Sequence, residues 1–251
     1  RKFMADLREE KTRVQAGFLA MDPRNGHILA WVGSRDYKQD PFDHVQQARR
    51  QPGSTFKPFV YGAALLSGSK PSDTFDDKAV EIPLPGGQIW RPTDAGPPSN
   101  QAMTLADGLA YSKNTITAQV MQQVGPAKVV RLARSLGVRD SALDAVPALA
   151  LGSSPVSLLE MVNAYASIAA QGEARLPFVV THITDREGKT IARFGEERES
   201  LLISYDQRRK ILLAVMLTVV RHFRGQGGAT PADEIRAQLD LPTRIVNDIL
   251  Y

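Results

Sequence analysis

The 251-residue chain is predicted to fold as an α/β protein of the α+β kind, an antiparallel sheet covered by helices. Asn25-Gly26 lies in the turn signal 22–26 between the short apolar runs 16–21 and 27–32, and Asn-Gly accepts the positive φ angles of a tight hairpin turn. A second turn signal, Asp185-Arg186-Glu187-Gly188-Lys189, separates the runs 178–183 and 190–194 in the same way. Long segments at 56–66, 156–170 and 206–220 instead carry the dense apolar character of buried helices.

Composition sets the outer limits. With 43% hydrophobic and 23% charged residues, the chain has the balance of an ordinary globular protein, expected to form one large domain or one domain with a small appendage. A net charge of +4, spread along the chain, gives no reason to expect nucleic-acid binding. The absence of cysteine is compatible with an oxidising compartment. The chain begins at Arg1 without a signal-like segment, so it is expected to be a piece of something longer, with any membrane anchor outside it. Its longest apolar run, 211–220, falls short of the about 20 residues that span a bilayer. His27, His44, His182 and His222 are scattered, so neither a metal site nor a cofactor is expected.

The helix at 56–66 follows Gln51-Pro52-Gly53-Ser54-Thr55-Phe56-Lys57. Pro52 and Gly53 break the preceding element, which puts Ser54 at or near the first helical turn and Lys57 on the same face three residues later. A serine hydroxyl needs a base to become a good nucleophile, and burial among Phe56, Phe59, Val60 and Tyr61 lowers the proton affinity of a lysine. First-turn amides add partial positive charge for an oxyanion. Spacing alone leaves Ser54 open as a nucleophile or an ordinary helix-start serine, since a second Ser-x-x-Lys stands at Ser67–Lys70 in a solvated loop.

The remaining elements follow in order. Residues 1–14 read as a charged connecting helix, and 33–50 as a polar surface excursion over the site. Residues 70–98 read as a Pro- and Gly-rich loop with a small strand or hairpin at 79–84, and Trp90 is a groove cover or a packed loop aromatic. Thr104 caps a helix to 110. A break at Tyr111-Ser112-Lys113-Asn114-Thr115 follows, then helix through 124. Ser112 and Asn114 are either a polar pair facing a cleft or helix caps. The segment 126–136 is amphipathic, and 149–155 is a loop leading to the helix 156–170. The texture changes at the Gly-rich linker 224–228, after which two short helices are expected at 231–239 and 242–251. The chain therefore divides into a connecting segment 1–14, a main domain 15–223 and a linker with a two-helix tail, 224–251.

Taken together, the stretches FLAMDPRNGHILAWVGSRDY, ARRQPGSTFKPFVYGAAL, TLADGLAYSKNTITAQVMQQVG and PALALGSSPVSLLEMVNAYASIAAQG resemble the transpeptidase domain of class A, bifunctional penicillin-binding proteins. The resemblance implies the fold shared with serine β-lactamases and a D,D-transpeptidase activity in peptidoglycan synthesis. On this likeness Ser54 matches the acylated nucleophile, Lys57 its proton acceptor and Ser112 the hydroxyl that relays a proton to the leaving amine. Asn114 matches the carboxamide that holds the substrate backbone, and Trp90 is the candidate for a further substrate contact. The implied partners are D-Ala-D-Ala stem peptides, β-lactams, an N-terminal glycosyltransferase domain and cell-wall synthesis proteins. The implied location is the extracytoplasmic, periplasmic side of the inner membrane.

The family's third motif, Lys-Thr-Gly, is not in the sequence; the two Lys-Thr pairs, Lys11-Thr12 and Lys189-Thr190, do not precede glycine. The resemblance then implies a cleft without its carboxylate-facing cation, with a reduced oxyanion hole and with the last sheet strands missing. Arg221, Arg224 and Lys189 are the candidates for a substitute cation. A non-catalytic binding module is the alternative function.

Overall fold

A computed structural model describes residues 14–84, 86–194 and 198–199. In chain order its first elements are β1 (Phe18–Met21), β2 (Ile28–Val32), a 3-10 turn at Gly53–Phe56 and α1 (Lys57–Leu66). Then come β3 (Thr74–Asp76), β4 (Ile82–Pro83), β5 (Ile89–Trp90), β6 (Ala102–Thr104), α2 (Leu105–Ala110), α3 (Asn114–Val124) and α4 (Pro126–Leu136). A second 3-10 turn at Pro147–Leu151 precedes α5 (Leu158–Ala169), β7 (Ala174–Arg175), β8 (His182–Thr184), β9 (Thr190–Arg193) and β10 (Arg198–Glu199). The named strands pair antiparallel. The expected elements at 206–220 and 224–251, most of the connecting segment 1–14, and Lys11, Thr12, Arg221, His222 and Arg224 lie outside the described residues.

The described residues form two units. The first gathers residues 14–50, Leu136–Ala142 and 155–199. Its β1–β2 hairpin runs from Phe18 opposite Val32 to Met21 opposite Ile28. The turn closes where the sequence predicts, with a positive φ at Gly26 but not at Asn25. Asp22 Oδ1 accepts the Arg24 amide at 2.9 Å, Asn25 Oδ1 accepts the His27 amide at 2.8 Å, and Gly26 adopts φ 85°. The exposed Arg24 guanidinium beside Asp22 holds its carboxyl down to about 2.

α5 packs on β1, with Ala164 and Ile168 buried. Its start is a reciprocal cap: Ser157 accepts the Glu160 amide, and Glu160 reaches back to the Ser157 amide. Glu160 is itself buried, at 5% exposure. Its carboxylate accepts the amides of Asp140 at 2.7 Å and Ser141 at 2.8 Å and the hydroxyls of Ser141 and Ser157. Burial raises its pKa, but these donors outweigh that and bring it to about 2.

Two expectations change here. The helix begins at Leu158 rather than 156, because Val156 is extended and exchanges backbone hydrogen bonds with Arg50. The segment 33–50 is also more than a surface excursion. Asp43 accepts the Trp31 indole at 3.1 Å and the Val45 amide at 2.8 Å, and Val45 is fully buried. The rest of the segment stays largely exposed, so it is a surface segment anchored by Asp43, Val45 and Ala48.

The second unit gathers residues 51–135 and Leu143–Ser154. α1 is buried nearly all round, from Lys57 to Leu65, and packs against α2 and α3. Such a helix draws its stability from tertiary packing rather than an amphipathic stripe. Thr104 caps α2 by accepting the Asp107 amide at 3.0 Å. The expected loop at 149–155 is instead partly the 3-10 turn Pro147–Leu151, started by Pro147 and ended by left-handed Gly152. The second Ser-x-x-Lys lies in the loop beyond α1, where the Lys70 amide is bonded to Asp73 at 2.8 Å.

Candidate active site

Ser54 lies in the 3-10 turn Gly53–Phe56, exposed, and Lys57 is the first residue of α1, buried at 1% exposure. The sequence predicts that the lysine amine reaches the Ser54 hydroxyl. The described residues contain no hydrogen bond between them; Lys57 Nζ turns instead to Ser112, in the break before α3, and to Asn114 at its start. It donates to Ser112 O, to Ser112 Oγ at 2.9 Å and to Asn114 Oδ1 at 2.7 Å. Lys57, Ser112 and Asn114 are thus one hydrogen-bonded cluster, with Ser54 one helical turn before the lysine.

The chemistry of the three acceptors is unequal. Ser112 O accepts only. Asn114 Oδ1 also accepts only, and its orientation is set because the Asn114 amide nitrogen donates to Thr93 O at 2.7 Å. Ser112 Oγ can both accept and donate. When the ammonium loses a proton, two of its contacts must remain donations, and Ser112 Oγ is the partner that can turn its hydrogen toward the amine. Lys57 Nζ and Ser112 Oγ therefore make a two-way proton path.

Burial makes that lysine easier to deprotonate. It pushes the Lys57 ammonium down to about 8, against the opposing pull of the Asp94 carboxylate. Neighbouring Tyr61, fully enclosed and hydrogen-bonded to Thr117 at 3.1 Å, is pushed up by burial and stays a neutral phenol.

The Ser112 turn carries backbone strain. Ser112 has φ 52°, a left-handed conformation that costs about 1–2 kcal/mol for a non-glycine residue. The Ser112 amide donates to Leu109 O and the Lys113 amide to Gly108 O, closing the end of α2. Thr117 Oγ1 donates to Lys113 O at 2.6 Å from the first turn of α3.

The turn at Ser54 is held from beneath. A Cβ on Gly152 (φ 70°) would stand 2.4 Å from Gly53 O and 2.6 Å from Gly53 N, so only glycine admits this backbone approach. The sequence alone gives no sign that Gly152 braces this turn.

It also misses a polar cluster beside Asn114. Lys113 Nζ lies 3.0 Å from Asp77 and 3.3 Å from Asp94, and Thr115 Oγ1 lies 3.0 Å from each carboxylate. Burial raises the carboxyl pKa of both aspartates, but their amide, hydroxyl and Lys113 partners outweigh that. Asp77 is brought to about 2 and Asp94 below the usual carboxylate range. Lys113 is raised, the two carboxylates outweighing its burial. Asp94 stands in a Pro- and Gly-rich loop with no periodicity, which is why no local signal marks it.

Trp90 is half-buried on the β4–β5 ribbon, where it pairs with Ile82, and has no hydrogen bond to the Lys57 cluster. Lys189 is exposed in the β8–β9 turn, its amide bonded to Asp185 at 2.7 Å.

The family model described as penicillin binding protein transpeptidase domain matches residues 16–229. Penicillin-binding protein 2D of Bacillus subtilis (strain 168) is 33% identical over 243 residues, which is 88% of this chain and 35% of that protein. Penicillin-binding protein 1A of Rickettsia conorii is 40% identical over 189 residues, 75% of this chain and 24% of that protein. The chain thus spans about a third or less of the length of these curated relatives. Among solved structures, penicillin-binding protein 1A from Haemophilus influenzae superposes with a TM-score of 0.75 at 26% identity, over 93% of this chain and 39% of that one. The imipenem acyl-enzyme complex of penicillin-binding protein A from M. tuberculosis gives 0.72 at 20% identity, over 86% of this chain and 60% of that one, a likeness of fold alone. By its fold, its family model and these relatives, the chain belongs to the penicillin-binding protein transpeptidase domain family.

Proposed function

We propose that this domain is a serine D,D-transpeptidase that acylates Ser54 with peptidoglycan stem peptides ending in D-Ala-D-Ala. The observation that carries the reading is the buried Lys57 amine, brought to about 8 and bonded to Ser112 Oγ and Asn114 Oδ1 one helical turn from an exposed serine. Ser54 Oγ attacks the carbonyl carbon of the penultimate D-Ala and loses its proton to the neutral Lys57 amine. The bond to the terminal D-Ala nitrogen then breaks. The departing amine takes a proton from Ser112 Oγ, which is resupplied by Lys57, and an ester remains on Ser54. An amine of a neighbouring stem peptide attacks that ester, forms the cross-link and frees Ser54.

In this reading Asn114 uses one amide proton on Thr93 and offers the second to the peptide backbone, and Trp90 contacts the substrate. A β-lactam takes the place of the stem peptide, in keeping with the acyl-enzyme complex described for the M. tuberculosis neighbour. The domain occupies residues 15–223, flanked by the connecting segment 1–14 and the tail 224–251. It works on the extracytoplasmic, periplasmic side with an anchor and a glycosyltransferase domain supplied outside this chain.

A second reading, a non-catalytic module that keeps the fold to bind a partner, is favoured by Lys57 Nζ being bonded to Ser112 and Asn114 and not to Ser54. Intact-protein mass after incubation with a reactive β-lactam separates the two. A gain of one drug mass that disappears in Ser54→Ala is expected. No adduct on the cooperatively folded chain overturns the transpeptidase reading in favour of the binding module.

A further inference from the structure

We infer that Asp94 is a positioning residue for the acyl transfer: its carboxylate holds the Lys113–Asn114–Thr115 segment at the start of α3 so that Asn114 turns its amide oxygen onto Lys57. The inference rests on the transpeptidase reading for its consequence, but its geometry stands apart from it. Lys113 occupies the cap position of α3 and makes no cap with its own side chain. Asp94 does this from outside the helix. Its Oδ1 accepts the Asn114 amide at 2.6 Å, and its Oδ2 accepts the Thr115 hydroxyl at 3.0 Å and faces Lys113 Nζ at 3.3 Å. A carboxylate at a helix N-terminus is favoured by the free amides and the helix dipole.

The neighbouring residue completes the grip. Thr93 O accepts the Asn114 side-chain amide at 2.7 Å, so residues 93 and 94 hold both the backbone and the carboxamide of Asn114. With its nitrogen committed there, Asn114 can present only oxygen to Lys57. Asp77 shares the load. It is 1% exposed and accepts the Ser99 amide at 2.9 Å, Thr115 Oγ1 at 3.0 Å and Lys113 Nζ at 3.0 Å. The single Thr115 hydrogen cannot serve both carboxylates at once, so the Lys113 cation between them offsets their mutual repulsion.

Asp94 also acts on Lys57 through its charge. On α1 and the elements packed against it, the other titratable groups are Tyr61, Asp107 on α2, the exposed Tyr111 at the end of α2 and Lys113 at the α3 cap. Tyr61 is a neutral phenol, Asp107 is bonded to Thr104 at 2.6 Å, and Lys113 is matched by two carboxylates. Asp94 is the carboxylate that keeps the Lys57 ammonium from falling further under burial.

The test titrates the Lys57 side chain by NMR in the full chain labelled with 13Cε-lysine, its signal assigned by its loss in Lys57→Arg. The variants are Asp94→Asn and Asp94→Ser, both residues that cap helices well. The Lys57 midpoint is expected to fall by about one unit in each, as for a lost neighbouring opposite charge. The β-lactam acylation rate at pH 9 is expected to fall about tenfold or more in Asp94→Ser, which cannot reach all three partners, and less in Asp94→Asn. An unchanged midpoint in a cooperatively folded variant overturns the inference, as does native acylation by Asp94→Ser at pH 9. Failure of both variants to fold also overturns it, because the role is then structural. If the native chain itself is not acylated, the transpeptidase reading fails, and the titration still decides whether Asp94 governs Lys57.

Discussion

Taking the pH from 8 to 6 should slow β-lactam acylation of Ser54 by about 50-fold, because the base is then almost fully protonated. Lys57 is 1% exposed and is brought by burial to about 8. Half of the amine is then neutral at pH 8 and about one part in a hundred at pH 6, at a factor of 10 per unit. The logarithm of the acylation rate should climb with a slope of one below pH 8 and flatten above about pH 9. Stability should move the same way. The folded lysine gives up its proton at about 8 while the unfolded one keeps it to its ordinary 10.5. The stability linked to this group is therefore full above 10.5 and lost as the pH falls through 8. Lys57→Arg, which cannot deprotonate, should flatten the profile and cost about 10²- to 10⁴-fold in rate on the plateau above about pH 9. The assay is adduct formation against time by intact-protein mass between pH 5.5 and 9.5. A flat profile, or one still rising with a slope of one at the top of that range, would refute the argument that burial readies this amine.

Two substitutions probe the supports. Glu160→Gln places an NH2 group among donors that need an acceptor, the amides of Asp140, Ser141 and Ser157. Chemical denaturation should show a loss of about 2–4 kcal/mol at neutral pH, and the native chain should lose this contribution only as the pH falls from 4.5 through about 2. Gly152→Ala puts a Cβ within 2.4 Å of Gly53 O at φ 70°; thermal unfolding should register a cost of at least about 1–2 kcal/mol, with slower acylation as the Ser54 turn shifts.

The parts of this molecule legible in its sequence are those whose causes lie within a few residues. The Asn25-Gly26 turn, the Thr104 cap, the mostly apolar α1 and the polar break at Ser112 and Asn114 each follow from local steric or hydrogen-bonding preferences, and the structure has all of them. The local limit also explains the departures. Val156 is extended because Arg50 pairs with it, although 156–158 alone reads as the start of a helix. Residues 33–50 are largely exposed, as their polar letters predict, but Val45 is buried beside the Asp43 carboxylate that accepts its amide, a contact that no local pattern announces.

The same division runs through the candidate site. Local spacing and resemblance were enough to single out Ser54, Lys57, Ser112 and Asn114, and to predict that burial lowers the lysine. Which atoms the amine meets was not local. An i, i+3 spacing brings Lys57 near Ser54, but the strongest acceptors available to a buried ammonium come from residues 55 and 57 positions away. Asp77 and Asp94 find their roles only when the chain closes separations of 38 and 20 positions, since a carboxylate in a loop has no preference for a particular helix end until packing removes it from water. Sequence therefore set the elements and the reactive groups, through forces that act over one turn of chain. Tertiary packing set the proton path and its electrostatics, because desolvation and charge pairing exist only between surfaces that folding brings together.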